Sequence, residues 1–416
     1  MRICIANPPA YLYDDTRHFI QSGSRWSFSM DAPKSGHKQP HYQPYPFPLA
    51  YASAILQEKG DDVFAFDACA LDMNEIEFID IVNKWVPDIL YIEVPIISSS
   101  LVLRMFEHLD KNIKIILTGA ITALPNLLYE TIPGQWDTKL WGKYSKFKDF
   151  PVPDRDHFCN DLYSNFETKR PTAQIISSRG CLFSCIFCLE RHVTYDSPVI
   201  EFRTPENVVE EMMQLHNQGV EHIYFDDMSI TSRKEHIEGI CREIRDRKLD
   251  MPWTCMGDLL VSEETVKLMA GAGCRGLAFG VETLNDQSLK QISKKFISEK
   301  KVRAFIKLLK KYDIWSHATY ALGLPGESKR SILDTIEFAL NAGSDSLQFS
   351  IATPYPGTPF YKLCKDNSWL ITEDFTRYDG SHYSVVDYPN LKHDQIEELF
   401  MYAMHKREEL GLKFRK

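Results

Sequence analysis

The chain reads as an α/β protein built from two units in series: a doubly wound parallel sheet, then a partial (β/α)6 TIM barrel closed by a small C-terminal cap. Three observations predict this. From Arg2 to Tyr129, short apolar runs alternate with amphipathic stretches, the pattern of parallel strands joined by helices. Between Pro133 and Phe158 the alternation gives way to Pro, Lys and Asp, which mark a linker. It resumes at Thr172 and passes through six strand candidates, fewer than the eight units that close a barrel. A length of 416 residues exceeds one ordinary domain, and the predicted boundaries are 1–132, a linker at 133–168, 169–358 and 359–416.

In the first unit, strands are expected at Arg2–Ala6, Asp62–Asp67, Ile89–Val94 and Ile113–Thr118. Helices are expected at Leu49–Lys59, Glu75–Trp85, Leu101–Leu109 and Leu124–Tyr129. Such sheets bind ligands beyond the carboxyl ends of their strands. Those ends carry Asn7-Pro-Pro9, Asp67, Pro95-Ile-Ile-Ser98 and Thr118-Gly-Ala-Ile-Thr122. The insert from Tyr11 to Phe47 has no periodicity and is rich in Pro, His, Ser and aromatics. Loops of this length are usually functional or disordered. Its aromatic content favours ordered packing, either as a cofactor-shaping loop or as a plug between domains.

The second unit places strands at 172–178, 221–226, 252–256, 276–281, 315–322 and 346–352. Helices are expected at Pro205–Gln218, Lys234–Arg247, Ser262–Ala272, Glu299–Tyr312 and Lys329–Asn341. A final helix, Lys392–Leu410, is expected to cap the open side of the barrel.

Composition narrows the function. With 44% hydrophobic and 25% charged residues the chain can bury substantial cores, and a net charge of −9 argues against nucleic acid as a partner. The 10 Cys show no framework spacing outside one triplet, which reads as reduced thiols. The N-terminus lacks the apolar core of a signal peptide. No apolar run approaches the roughly 20 residues of a membrane helix, so a cytoplasmic protein away from membranes is expected.

The triplet is Cys181, Cys185 and Cys188, in Ser178-Arg-Gly-Cys-Leu-Phe-Ser-Cys-Ile-Phe-Cys188, directly after a strand. Iron–sulfur clusters normally take four thiolates. Three on one short loop leave an iron open to chelation by a small molecule, which implies chemistry rather than electron storage. The competing reading is a zinc site completed by His192, although zinc modules more often pair two Cys-x2-Cys knuckles.

This Cys-x3-Cys-x2-Cys loop, with Phe187 before its last Cys, resembles the cluster loop of the radical S-adenosylmethionine (SAM) superfamily. Glu221-His-Ile-Tyr-Phe-Asp-Asp227, Trp253-Thr-Cys-Met-Gly-Asp258, Gly276-Leu-Ala-Phe-Gly-Val-Glu282, Ala321-Leu-Gly-Leu-Pro-Gly-Glu327 and Phe349-Ser-Ile-Ala-Thr-Pro-Tyr-Pro-Gly-Thr358 extend the likeness. They resemble the branch that carries an N-terminal Rossmann-like, cobalamin-binding-type domain. The resemblance implies a 4Fe-4S cluster that reductively cleaves SAM to a 5′-deoxyadenosyl radical, which abstracts hydrogen from an unactivated carbon of a small-molecule or natural-product substrate. It also implies a reductant such as flavodoxin or ferredoxin. Cobalamin-dependent C-methylation is one outcome, and cobalamin-independent dehydration, epimerisation or rearrangement is the other. Thr118-Gly-Ala-Ile-Thr-Ala-Leu-Pro125 resembles a loop beneath the corrin tail. The fifth strand and Gly-Glu-rich turn that usually follow are expected to be absent here, and an Asp-x-His-x-x-Gly motif is not found. A non-catalytic zinc or Fe–S protein is the alternative of another class.

The same resemblance assigns roles by position. Phe187 would lie against the adenine, and Asp226 or Asp227, of which alternation lets only one point inward and Asp227 is slightly favoured, would bind the methionine ammonium through a charge-assisted hydrogen bond. Glu282 would contact the ribose or methionine part, and Gly323 and Gly326 would let backbone approach the adenine. Three of these have a structural counterpart reading: Phe187 as a core Phe, the aspartates as a helix cap, and the glycines as an ordinary turn. Cys255, at the end of the third barrel strand, is read either as a hydrogen-atom donor in the lumen or as a small buried hydrophobe, and the second is favoured. His317 and Tyr355 are candidates to line the substrate pocket or to sit satisfied in the core.

Overall fold

The computed structural model describes residues 1–9, 11–13, 18–21, 29–31, 44–134, 146–163, 171–195, 197–294 and 296–412. The insert is described at three short strands: after β1 (Arg2–Asn7), β2 (Tyr11–Tyr13), β3 (His18–Gln21) and β4 (Ser29–Asp31) form an antiparallel sheet of their own. The rest of that insert, up to residue 43, lies outside the described residues.

The first main sheet comprises β1, β5 (Asp62–Asp67), β6 (Ile89–Glu93), β7 (Lys114–Thr118) and β8 (Glu130–Thr131). Their order is β5-β1-β6-β7-β8, all parallel. Strand alternation explains the double winding. Ile3 and Ile5 point into the cluster built on α1 (Phe47–Glu58), whereas Cys4 and Ala6 join α2 (Glu75–Trp85) and α3 (Ser99–Met105) on the other face. The winding reverses between β1 and β6, so the ligand crevice of this fold opens there.

Two expectations need correcting. A fifth strand is present, with Ile116 and Leu117 of β7 paired to Glu130 and Thr131. Two residues are too short to register as an apolar run. The expected helix Leu124–Tyr129 does not form; a 3-10 turn, Ala120–Ala123, takes its place. Pro125 disfavours helical backbone at Leu124, and Asn126 adopts φ +60°.

The second unit holds β9 (Thr172–Ile175), β10 (Ser178–Arg179), β11 (Glu201–Phe202), β12 (His222–Phe225), β13 (Trp253–Gly257), β14 (Cys274–Glu282), β15 (Trp315–Leu322) and β16 (Ser346–Ile351). Six of these, β9-β12-β13-β14-β15-β16, make one parallel sheet in sequential order. The strand expected at 172–178 is split, because Ser178 and Arg179 leave the sheet to pair antiparallel with Phe202 and Glu201. Seven helices follow this sheet's strands: α4 (Pro205–Asn217), α5 (Lys234–Asp246), α6 (Glu263–Gly271), α7 (Asp286–Gln291), α8 (Glu299–Lys311), α9 (Lys329–Asn341) and α10 (Pro359–Asp366). Thr204, Ser262, Asn285, Ser298, Ser328 and Thr358 cap six of them, each accepting a backbone N–H three residues on. These caps fix the helix starts on the carboxyl side of the strands.

One strand face, including Ile223, Phe225, Leu277, Phe279, Ala318 and Leu322, packs with Ile237, Ile240, Phe305 and Ile306 of the helices. The alternate residues Tyr224, Thr254, Ala278 and Thr319 face the other way, into the barrel. The last helix, α11 (His393–Glu409), packs on α9 and β16.

The two units meet through specific contacts. Glu211 of α4 sits between Arg155 of the linker and Arg203, each guanidinium 2.6 Å from one carboxylate oxygen. Arg155 also donates to the Gln174 carbonyl at 3.0 Å and lies over the Tyr45 ring, while Tyr45 N–H donates to the Gln174 side chain. The end of the insert thus packs at the domain junction.

Candidate cluster and cofactor site

The cysteine loop is an excursion from a two-rung ladder, Ser178 with Phe202 and Arg179 with Glu201. Gly180 opens it at φ +91°, and a Cβ there would lie 2.6 Å from the Val199 carbonyl oxygen, so only glycine lets the two legs cross. Arg179 is buried, with its guanidinium over Phe150 at 4.9 Å, Phe147 at 5.2 Å and Tyr195 at 5.9 Å. This cation–π cage anchors the loop to the linker.

Cys185 is buried, and Cys181 and Cys188 are partly exposed. Enclosure by neighbouring atoms pushes all three thiols up, Cys185 to about 11 and Cys188 to about 12. The three lie within electrostatic reach of one another. Among the described residues, however, no three His, Cys, Asp or Glu side chains gather closely enough to enclose a single metal ion. A zinc ion would draw its sulfurs to about 2.3 Å; a cubane spreads its ligands over separate corners. His192, the zinc alternative's fourth ligand, has Nε2 at 3.1 Å from the Cys185 carbonyl oxygen. Three thiolates on one short loop are the sulfur-only donor set that an iron–sulfur cluster takes.

The two aspartates differ in their surroundings. Asp227 accepts from Ser177 N–H, from Ser177 Oγ at 2.8 Å and from Ser178 Oγ, and His236 Nε2 lies 2.9 Å from Ser177 Oγ. It therefore knots β12 to the start of the cysteine loop. Asp226 is fully buried beside it, its N–H donating to Ile175. Glu282 ends β14 at φ +67° and forms an ion pair with Lys294, Nζ to Oε1 2.6 Å. Burial opposes the Lys294 charge, and Glu282 together with the nearby thiols raises its pKa in spite of this.

Phe187 is partly buried against the barrel core. Gly323 and Gly326 both have positive φ; a Cβ on Gly323 would meet Ile396 of α11 at 3.0 Å, and one on Gly326 would meet Gln287 at 3.1 Å. Their space is taken by protein. Cys255 is fully buried on the helix-facing side, in the same core as Phe225 and Trp253, and not in the lumen. His317 is buried, 2.6 Å from Ser346 Oγ, and burial lowers its pKa to about 3, so it is a satisfied interior group. Tyr355 packs at the junction described next.

Ile96 and Ala120, at the carboxyl ends of the first sheet, form one apolar cluster with Leu189, next after Cys188, and Val193, one helical turn further on. Tyr355 and Phe375 pack against it. Gly357 lies between the units: a Cβ there would meet Val193 at 2.7 Å and Ala123 at 2.9 Å. Close by, Ser98 Oγ and Thr118 Oγ1 are fully buried with no hydrogen-bond partner among the described residues. Sequence reasoning missed Lys294, the Arg179 cage and these two hydroxyls as functional candidates. Only the strand-end positions of Ser98 and Thr118 gave any signal.

A six-stranded parallel sheet with three cysteines on the loop after its first strand defines a radical SAM core, and residues 175–339 match the Radical SAM superfamily model. Residues 175–339 therefore carry a radical SAM domain, and the chain is an enzyme of that kind, using a 4Fe-4S cluster and SAM. It is 26% identical to an uncharacterized methyltransferase of Pyrococcus horikoshii over 80% of this chain and 81% of that one. It is 24% identical to the cytidylyl-2-hydroxyethylphosphonate methyltransferase of Streptomyces wedmorensis, over 60% of this chain and 49% of that one. The fold is shared across the whole chain with the radical SAM methyltransferase TsrM from Kitasatospora setae: TM-score 0.67, 14% identity, covering 99% of this chain and 89% of that one. The cobalamin-dependent radical enzyme OxsB superposes with TM-score 0.58 at 16% identity, over 98% of this chain and 61% of its own. No helix among the described residues is long and apolar enough to cross a membrane.

Proposed function

We propose that this protein is a cobalamin-dependent radical SAM methyltransferase acting on a small molecule, with Cys181, Cys185 and Cys188 holding the cluster. The observation that carries it is the apolar junction of Ile96 and Ala120 with Leu189 and Val193, which brings the ligand-binding end of the first sheet against the cysteine loop. The buried hydroxyls of Ser98 and Thr118 fit a polar group entering that crevice, because such atoms rarely stay unpaired. TsrM has been solved with cobalamin and a 4Fe-4S cluster bound, and the curated relatives named above are methyltransferases. When bound, the cluster supplies an electron for reductive SAM cleavage and the corrinoid supplies a methyl carrier.

The chain's own residues position these groups. Arg179 and Gly180 set the direction of the cysteine loop, and Asp227 holds its first strand through Ser177 and Ser178. Asp227, which the sequence slightly favours, ties down Ser177 and Ser178, whereas alternation along β12 puts Asp226 on the barrel-facing side with Tyr224, so Asp226 is the better placed for the methionine ammonium. Glu282, at the end of β14, is held by its ion pair with Lys294. Phe187 offers a ring for the adenine. The finer partners are a flavodoxin- or ferredoxin-type reductant and a small-molecule substrate, with the domains dividing near 132, 168 and 358. The test is anaerobic reconstitution with iron, sulfide, reductant and hydroxocobalamin. Wild type should form 5′-deoxyadenosine or S-adenosylhomocysteine from SAM and retain the corrinoid through gel filtration; Cys185→Ala should do neither cleavage nor methyl transfer. A protein that takes up only zinc and leaves SAM intact refutes the reading.

A further inference from the structure

We propose that the buried Lys294–Glu282 pair, on a segment packed against the loop of Cys181 and Cys185, sets the reduction potential of the cluster. This rests on the reading of those cysteines as cluster ligands. The pair is built into the backbone. Lys294 Nζ lies 2.6 Å from Glu282 Oε1 and 3.2 Å from the Gly280 carbonyl oxygen, with side chains 12% and 13% exposed. Glu282 occupies φ +67°, where residues other than glycine are uncommon, and the pairing of β14 with β15 slips register between Gly280 and Glu282. A Cβ on Gly280 would lie 2.3 Å from Glu282 Oε1 and 2.8 Å from Lys294 Nζ, so the glycine makes room for the contact. Past α7, Ser293 at φ +64° reverses the chain, and Lys294 N–H donates to the Leu289 carbonyl at 2.9 Å. Three local departures from regular backbone converge on one ion pair.

Its electrostatic reach is specific. The segment that carries Lys294 packs on the cysteine loop: the ring of Phe296, two residues on, lies 5.8 Å from that of Phe183, which stands between Cys181 and Cys185, and Lys294 and Glu282 are near enough to act on the Cys185 thiol. Buried charges are poorly screened. A cluster gains negative charge on reduction, so a nearby cation favours the reduced form and a nearby anion the oxidised one, in line with the dependence of cluster potential on surrounding charge. Because the pair is neutral as a whole, deleting either member exposes the cluster to the other. The two deletions must therefore shift the potential in opposite directions, which a merely structural contact would not do.

The experiment compares wild type, Lys294→Met, Glu282→Gln, the double variant and Lys294→Arg after anaerobic reconstitution without SAM. Iron and sulfide content is assayed, and the midpoint potential is read by redox titration with electron paramagnetic resonance of the reduced cluster. Expected are a more negative midpoint for Lys294→Met, a more positive one for Glu282→Gln, an intermediate one for the double variant and a near wild-type value for Lys294→Arg. Single-variant shifts of the same sign, or no shift at equal iron content, overturn the proposal. Should Lys294→Met fail to fold, Glu282→Gln decides alone, and a negative or absent shift is fatal. A wild type that assembles no cluster instead refutes the underlying assignment of the cysteines.

Discussion

Thr118 and Ser98 bury hydroxyl oxygens that find no protein partner among the described residues. An unsatisfied buried hydroxyl costs about 1–3 kcal/mol. Thr118→Val keeps the shape and removes that cost, so the ligand-free protein should melt at a higher temperature while its corrinoid affinity falls. Thermal unfolding and equilibrium corrinoid binding check the two halves, and a fall in both would assign the hydroxyl to the core. The interior histidines carry a pH signature. Burial lowers His222 to about 4 and His317 to about 3, both below the free value of 6.5. Between those limits the unfolded chain takes up protons that the native state refuses, so stability is full above pH 6.5 and falls as pH drops toward 4. Removing one such site should recover about 2–3 kcal/mol at pH 4.5 relative to its effect at pH 7. Urea titrations of His317→Gln at both pH values measure it.

The elements with strong periodicity were legible: the eight-residue β15 and the capped helices announce themselves through apolar alternation and through Ser, Thr or Asn at their starts. The two-residue β8 was not legible, since its partner strand rather than its own residues defines it. The three cysteines were readable from spacing, but Lys294 was not, because its contact with Glu282 depends on a register slip that no local pattern records. Gly357 belongs to this scale as well. It sits at φ +84° where the loop after β16, the turn after Cys188 and the 3-10 turn at Ala123 converge. Gly357→Val must separate these elements and also force a β-branched residue into left-handed backbone, a strain of about 1–2 kcal/mol. The cluster loop itself stays intact. The expected result is continued SAM cleavage with a reduced ratio of methylated product to 5′-deoxyadenosine, measured by mass spectrometry of both products; an unchanged ratio would show that the junction does not couple the two units.

At the scale of the whole molecule, the Arg155–Glu211–Arg203 triad holds the linker, the first barrel strand and α4 in one register. Against burial, which pushes it up, Arg203 and Arg155 hold the Glu211 carboxyl below its usual range. Arg203 reaches the Ile176 carbonyl at 2.9 Å and Arg155 the Gln174 carbonyl, so the triad also clamps the strand that feeds the cysteine loop. Removing one charge from such a set strands the others in a dry interior, at about 3–5 kcal/mol. Glu211→Gln should therefore lower the unfolding midpoint sharply and open the linker to proteolysis. An apolar replacement of all three side chains separates stability from geometry, since buried ion sets are often matched or exceeded in stability by hydrophobic residues of similar volume. If the triad serves chiefly to fix the angle between the units, the apolar variant should regain the melting temperature yet still show a depressed ratio of methylated product to 5′-deoxyadenosine. Recovery of both quantities together would reduce the triad to a packing element.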